Sequence, residues 1–227
     1  MGEMIRFASN GGEAEGYLAL PGEPGPALIV LQEWWGLVPH IKDVADRFAA
    51  EGFVALAPDL YEGESAESPD DAGRMMMTLD IEDAGRALGG AIDHLLAHDD
   101  VTSSGVGVVG YCMGGGLALM VAAQRPDAVH AVAPYYGVLV WEDHQPDLSK
   151  ITAKVQGHYA ELDDFVTPAV ATDLAEALRS HGADVELFIY EGADHAFFND
   201  TRPDVYNADA ATLAWDRTLA LFRTLLG

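Results

Sequence analysis

Strand-length apolar runs alternate with helical stretches along most of the 227-residue chain. This alternation predicts an α/β fold: a mostly parallel sheet of about eight strands with helices on both faces. Two further observations support that fold. An apolar fraction of 49% is enough to bury a sizeable core. Chemistry-bearing residues also recur just after strands, where open α/β sheets place their ligand crevices. Neither internal repeats nor breaks in composition divide the sequence, which predicts one domain over residues 1–227.

The first two strands, Met4 to Phe7 and Gly16 to Leu20, are expected to form an antiparallel hairpin around Asn10-Gly11-Gly12, residues that tolerate positive φ. A Pro-Gly-rich turn then leads into a continuous apolar strand, Ala27 to Gln32. The helix from Pro39 to Ala50 follows, with Ile41, Val44, Ala45 and Phe48 at helical spacing. Phe53 to Ala57 reads as the next buried strand. A long polar segment, Glu62 to Asp71, precedes a helical stretch around Met75 to His98. Strand and helix then repeat: Gly105 to Gly110 with Met113 to Gln124, Val129 to Tyr136, Ala153 to Gly157 with Pro168 to His181, and Val185 to Tyr190 with Asn207 to Leu226.

The residues that follow these strands are Glu33 and Trp34, Cys112, Asp163 and His195. Gly110-Tyr111-Cys112-Met113-Gly114 has the spacing of a G-x-S-x-G strand-to-helix turn with Cys in the Ser position. Glycine is needed two residues either side, because a side chain there would strike the adjoining strand or helix. A nucleophile at this turn sits at a helix N-terminus, whose free N–H groups and dipole favour a thiolate and then an oxyanion. The Met113 N–H is the expected first oxyanion donor, and the Trp34 N–H the second. The chain order Cys112, Asp163, His195 matches the order this turn uses in hydrolases. His195 would then take the thiol proton and later activate water, while Asp163 fixes the imidazole tautomer. Asp164 is a rival for that role, and Asp163 could also serve only as a cap for the next helix. Trp34, Trp35, Tyr61, Tyr135 and Trp141 lie near strand ends and are candidate pocket walls or core residues.

Over most of its length the chain resembles the dienelactone hydrolase family, whose members use a Cys-Asp-His triad on an α/β-hydrolase fold. The likeness rests on Gln32-Glu33-Trp34-Trp35-Gly36-Leu37, Ala57-Pro58-Asp59-Leu60-Tyr61, the Cys112 turn, Tyr135-Tyr136-Gly137, Asp163-Asp164-Phe165-Val166 and Asp194-His195-Ala196-Phe197. The resemblance implies cleavage of a small ester or lactone through a thioacyl intermediate on Cys112. It favours Asp163 over Asp164 and gives Glu33 the task of hydrogen-bonding the resting thiol until substrate displaces it. Phe197 joins the candidate substrate contacts. Where the family's dienelactone-cleaving member has an arginine four residues after the triad histidine, this chain has Asn199, and Arg74 is the candidate for a second arginine. Loss of a carboxylate clamp, worth roughly 1.5–3 kcal/mol, makes an uncharged ester as good a candidate as dienelactone. Thioester or peptide cleavage by the same triad, and a silent fold used only for binding, are the alternatives.

Other patterns carry less. Gly105-Val106-Gly107-Val108-Val109-Gly110 fits the dinucleotide-binding expression, but its glycines lie inside a strand instead of after one. His94 and His98 at i, i+4 lack an evident third metal ligand, and Met75-Met76-Met77 reads as helix packing or a pocket lining. No metal or organic cofactor is expected. The single cysteine excludes an internal disulfide. Twelve Lys and Arg against thirty-seven Asp and Glu give a net charge of −25, which disfavours nucleic acid and anionic membranes as partners. The opening residues show no targeting signal and the longest apolar run, Leu117 to Ala123, is far short of the ~20 residues a membrane span needs, so a cytoplasmic monomer or small homo-oligomer is expected. With only three lysines, Lys42, Lys150 and Lys154, self-repulsion should be severe at low ionic strength. Thermal unfolding is therefore expected at a higher Tm in 1 M salt, where the Debye length is about 3 Å, than in 0.01 M salt. An unchanged Tm across that range would argue against a salt-adapted surface.

Overall fold

Apolar residues on both sides of the central strands dictate a sheet covered on both faces, and the computed structural model, which describes residues 2–9 and 12–227, has that arrangement. Eight strands run in the order β1-β2-β4-β3-β5-β6-β7-β8. They are β1 (Glu3–Ser9), β2 (Gly12–Ala19), β3 (Gly25–Leu31), β4 (Val54–Pro58), β5 (Val101–Tyr111), β6 (Val129–Tyr135), β7 (Lys154–Ala160) and β8 (Val185–Tyr190). Strand β1 pairs antiparallel with β2, and β2 antiparallel with β4; every later pairing is parallel. The hairpin residues Asn10 and Gly11 lie outside the described residues, while Gly12 begins β2.

Alternation within β3 shows how one strand serves two cores. Ala27, Ile29 and Leu31 face helices α3 (Ile81–Leu96) and α4 (Met113–Gln124), whereas Leu28 and Val30 face α1 (Pro39–Ala50) and α6 (Ala208–Leu226). Helix α4 is buried all round, as its uniformly apolar and small residues require. Helix α5 (Pro168–Ser180) packs beside β7 and β8.

The expected helix around Met75 to His98 is two helices. Ser68 caps α2 (Pro69–Thr78), with Pro69 in the first turn, and the chain then turns extended at Leu79. Asp80 caps α3 by accepting from the N–H groups of Glu82 and Asp83. The break is local chemistry: an acidic cap inside a helical pattern restarts the helix. The glycine-rich segment 105–110 lies inside β5, as its position before the turn implies.

Two glycines test the packing argument in opposite directions. A Cβ on Gly110 would meet the Gly114 carbonyl oxygen at 2.0 Å, while one on Gly73, inside α2, would find only the Trp34 ring at 3.9 Å. Gly110→Ala should cost on the order of 3 kcal/mol through overpacking, a fall in Tm of roughly 6–12 °C for a chain of this size. Gly73→Ala should gain about 0.5–1 kcal/mol from helix entropy. Scanning calorimetry reads both, and a Gly110→Ala protein as stable as wild type would contradict the close approach.

Candidate active site

Cys112 occupies the turn between β5 and α4 with φ 52° and ψ −116°, a conformation that costs a non-glycine residue about 1–3 kcal/mol. The backbone closes around it. A Cβ at Gly114 would strike the carbonyl oxygens of Leu31 and Gln32 at 2.7 and 2.6 Å, and one at Gly137 would strike the Cys112 carbonyl at 2.0 Å. The Cys112 N–H donates to the Tyr135 carbonyl at 3.0 Å. These contacts hold the start of α4 directly on the ends of β3 and β6, so the loop carrying Glu33 and Trp34 adjoins the turn. Met113 opens α4, where its N–H has no helical carbonyl to bond. Its sulfur accepts from the Tyr61 hydroxyl at 3.3 Å, and Tyr61 is buried against it.

His195 and Asp163 reach the thiol from two other strand ends. Asp163, after β7, is buried, and its Oδ2 lies 2.7 Å from His195 Nδ1. Its Oδ1 accepts from the N–H groups of Phe165 and Val166 at 2.7 and 2.8 Å, a local turn that short acidic side chains favour. Thr167, not Asp163, caps α5. Asp164 points into solvent. The His loop is tied to the Asp loop by Leu162 N–H to Ala193 O and by Gly192 N–H to the Glu161 carboxylate. Cys112 itself is partly exposed.

Desolvation lowers the affinity of His195 for a proton. Hydrogen bonds to Asp163 and to the Cys112 sulfur, with the electrostatic attraction of both groups, outweigh it and raise the imidazole pKa to about 10. The ring therefore carries its proton at neutral pH. Tyr136 flanks one side of it, with ring centroids 5.2 Å apart, and Phe165 lies equally close.

Glu33 is placed near the triad but bonds differently from the expectation. Its Oε2 accepts from Asn199 Nδ2 at 2.8 Å and its Oε1 from the Tyr136 hydroxyl at 3.5 Å, while the Cys112 sulfur acts on His195. Burial pushes the Glu33 carboxyl above its ordinary range, and Asn199, the His195 charge, the Arg202 charge and Tyr136 pull it back. Asn199 is only 3% exposed and is consumed by Glu33 and by Thr201, so it does not face a substrate.

Three more expected contacts lie away from the crevice. Tyr135 turns away from the triad: its hydroxyl bonds Thr218 and its ring stacks on His158, itself kept neutral with a pKa lowered by burial to about 3. Tyr136 lies just past the end of β6, where a φ of 37° turns its ring to His195, although both tyrosines share one core. Phe197 is core, packed behind Tyr136 and against Tyr190. Arg74 is exposed on α2 and pairs with Asp71. Trp34 and Trp35 are half-buried with their rings edge to face at 5.4 Å, and Trp34 and Trp141 pack against the core that contains Met113. Sequence reading overlooked Tyr136, Phe165 and Arg202.

Among the described residues no three His, Cys, Asp or Glu side chains form a group able to hold a metal ion, and His94 and His98 simply stack edge to face. No helix among those residues is long and apolar enough to cross a membrane. Met75 and Met76 pack on the core while Met77 is exposed.

Comparison with known proteins agrees with this architecture. Residues 14–226 match the model of the dienelactone hydrolase family. A protein of Aquifex pyrophilus named usf is 39% identical, and an Aquifex aeolicus protein assigned by name as a carboxymethylenebutenolidase is 37% identical, each alignment spanning 100% of both chains. A crystal structure assigned as a dienelactone hydrolase from Klebsiella pneumoniae superposes with a TM-score of 0.87 at 28% identity, covering 98% of both chains. A turn that only glycines can surround, a matched family model and full-length relatives lead to one conclusion: this chain belongs to the dienelactone hydrolase family.

Proposed function

We propose that the protein hydrolyses small uncharged esters or lactones, with Cys112 as nucleophile, His195 as acid and then base, and Asp163 as the fixed partner of His195. The observation that carries this reading is the continuous contact from Asp163 Oδ2 through the His195 ring to the Cys112 sulfur at a helix N-terminus. The sulfur attacks the acyl carbon, and the carbonyl electrons move onto oxygen. The Met113 and Trp34 N–H groups receive that oxyanion, each donor typically being worth ~10²–10³ in rate. The C–O bond then breaks as the alcohol oxygen takes the imidazolium proton. In the acyl-enzyme the sulfur is neutral, so His195 loses one of the charges that held its proton and can deprotonate water for the second half-reaction.

The reading is for uncharged substrates because the candidate cations are absent or committed. Arg74 lies away from the crevice on Asp71, and Arg202 pairs with Asp204 while its charge acts on Glu33. The Aquifex aeolicus relative's name denotes action on a carboxylated lactone. Here Asn199, buried against Glu33, offers no charge to such a carboxylate.

Hydrolysis of p-nitrophenyl acetate by wild type, with loss of at least ~10³-fold in Cys112→Ala and His195→Ala, is the expected result. Mass spectrometry of the wild type during turnover should show an acyl adduct on Cys112. Equal hydrolysis by all three proteins would overturn the proposal. In a matched panel, neutral lactones should have kcat/KM values at least as high as carboxylated ones. A strong preference for carboxylates would show that a basic group reaches the site after all.

The pH dependence follows from the raised imidazole. Because the His195 pKa is higher in the folded protein than the ordinary 6.5, the stabilisation it gives is complete below about 6.5 and is lost as pH rises through about 10. The proton-donating form is lost over the same upper range, so kcat/KM for an ester should stay level above neutrality and fall through about pH 10. Asp163→Asn should move that limb down toward the ordinary histidine range and lower kcat/KM by up to roughly 10⁴-fold. An unmoved alkaline limb in Asp163→Asn would refute the assigned partnership.

A further inference from the structure

Phe165 is a large apolar side chain left 76% exposed, and its neighbour in the same loop, Leu162, is 56% exposed. Neither helps the core; burying a phenylalanine ring is worth about 1.5–3 kcal/mol, which this position forgoes. Yet the loop is not loose. Asp163 Oδ1 holds the Phe165 and Val166 N–H groups, and Leu162 N–H is bonded to Ala193 O beside the triad histidine. The Phe165 ring is thus fixed 5.2 Å from the His195 ring, the same distance at which the buried Tyr136 ring packs.

The chemistry of the imidazole says what meets this ring. His195 Nδ1 is taken by Asp163, so the proton leaves from Nε2 to the alcohol oxygen as the ester C–O bond breaks. The alcohol half of the ester must therefore lie against the imidazole. The acyl half stays on Cys112 with its oxygen turned to the start of α4. An exposed aromatic wall beside the imidazole then adjoins the departing group and not the retained one.

Resting on the ester-hydrolase reading above, we infer that Phe165 is a specificity residue that packs against the leaving alcohol and favours esters of apolar, especially aromatic, alcohols. Leu162 extends the same apolar rim. The test separates the two halves of the substrate. Wild type and Phe165→Ala are compared on 2-naphthyl acetate and 2,2,2-trifluoroethyl acetate, which share an acyl group, and on 2-naphthyl butyrate, which shares the alcohol. The naphthyl-to-trifluoroethyl ratio of kcat/KM should fall about tenfold in Phe165→Ala, a typical effect of losing one apolar pocket contact. The acetate-to-butyrate ratio should hold, and Phe165→Tyr should restore the naphthyl preference.

An unchanged naphthyl-to-trifluoroethyl ratio would overturn the inference, as would a loss that follows the acyl chain. The hydrolase reading has its own readout in the same experiment: a wild type that turns over none of the three esters and forms no adduct on Cys112 defeats that reading and this one together.

Discussion

The active site depends on one strained residue held by backbone on every side. Cys112 could not keep a φ of 52° unless something over-determined it, and the surroundings do: the Gly114 and Gly137 backbones leave no room for a Cβ, and the Tyr135 carbonyl receives the Cys112 N–H. Relaxing the turn would mean separating α4 from the ends of β3 and β6. Those elements carry the two cores, so the strain is stabilised by packing far larger than itself. The reward is positional. A sulfur at that point meets the N-terminus of a buried helix and the ring of His195 at once.

Asp163 extends the same economy to the other side of the crevice. One of its oxygens bonds Nδ1 of His195, and the other ties down the loop that carries Phe165. Because the carboxylate is buried and fully bonded, the imidazole and the aromatic ring cannot drift relative to each other. Glu33 is a different kind of acid. Burial resists its charge, two neutral donors hold it, and its nearest positive charges are His195 and Arg202. Its hydrogen-bond partners here are Asn199 and Tyr136 and not the thiol the resemblance implies.

Much of this was legible in the sequence because it rests on local rules. The spacing Gly110 to Gly114 announces the turn, and strand ends give Glu33, Cys112, Asp163 and His195 without any coordinates. What stayed hidden depends on local backbone turns and on partners. Tyr135 and Tyr136 look alike as letters, yet the positive φ at Tyr136 just past β6 leaves one ring on His158 and the other hydroxyl on Glu33. Asn199 reads as a polar residue near a histidine; only the fold shows its amide spent on a carboxylate 166 positions away. The break at Leu79 and Asp80 was readable as a cap, but the apolar spacing on either side runs through it and conceals it.

A hollow of about 950 Å³ lies away from the triad. It lies by the β1–β2 hairpin and is lined by carboxylates including Glu13, Glu15, Asp59 and Asp83, with Tyr61 between it and Met113. Volume is thus a poor guide here, and charge a better one. At long range a chain with a net charge of −25 repels anions, and exposed Asp164, Asp194 and Glu161 continue that field up to the rim of the crevice. Within a few ångströms the sign reverses, because the helix N-terminus and the His195 imidazolium both favour negative charge. A neutral ester, the substrate proposed above, would cross the outer field without cost and acquire its charge only inside, where the site would stabilise it. On that proposal the acid product would leave as an anion into a repulsive field, so the same two regions that admit a neutral substrate would also drive out what it becomes.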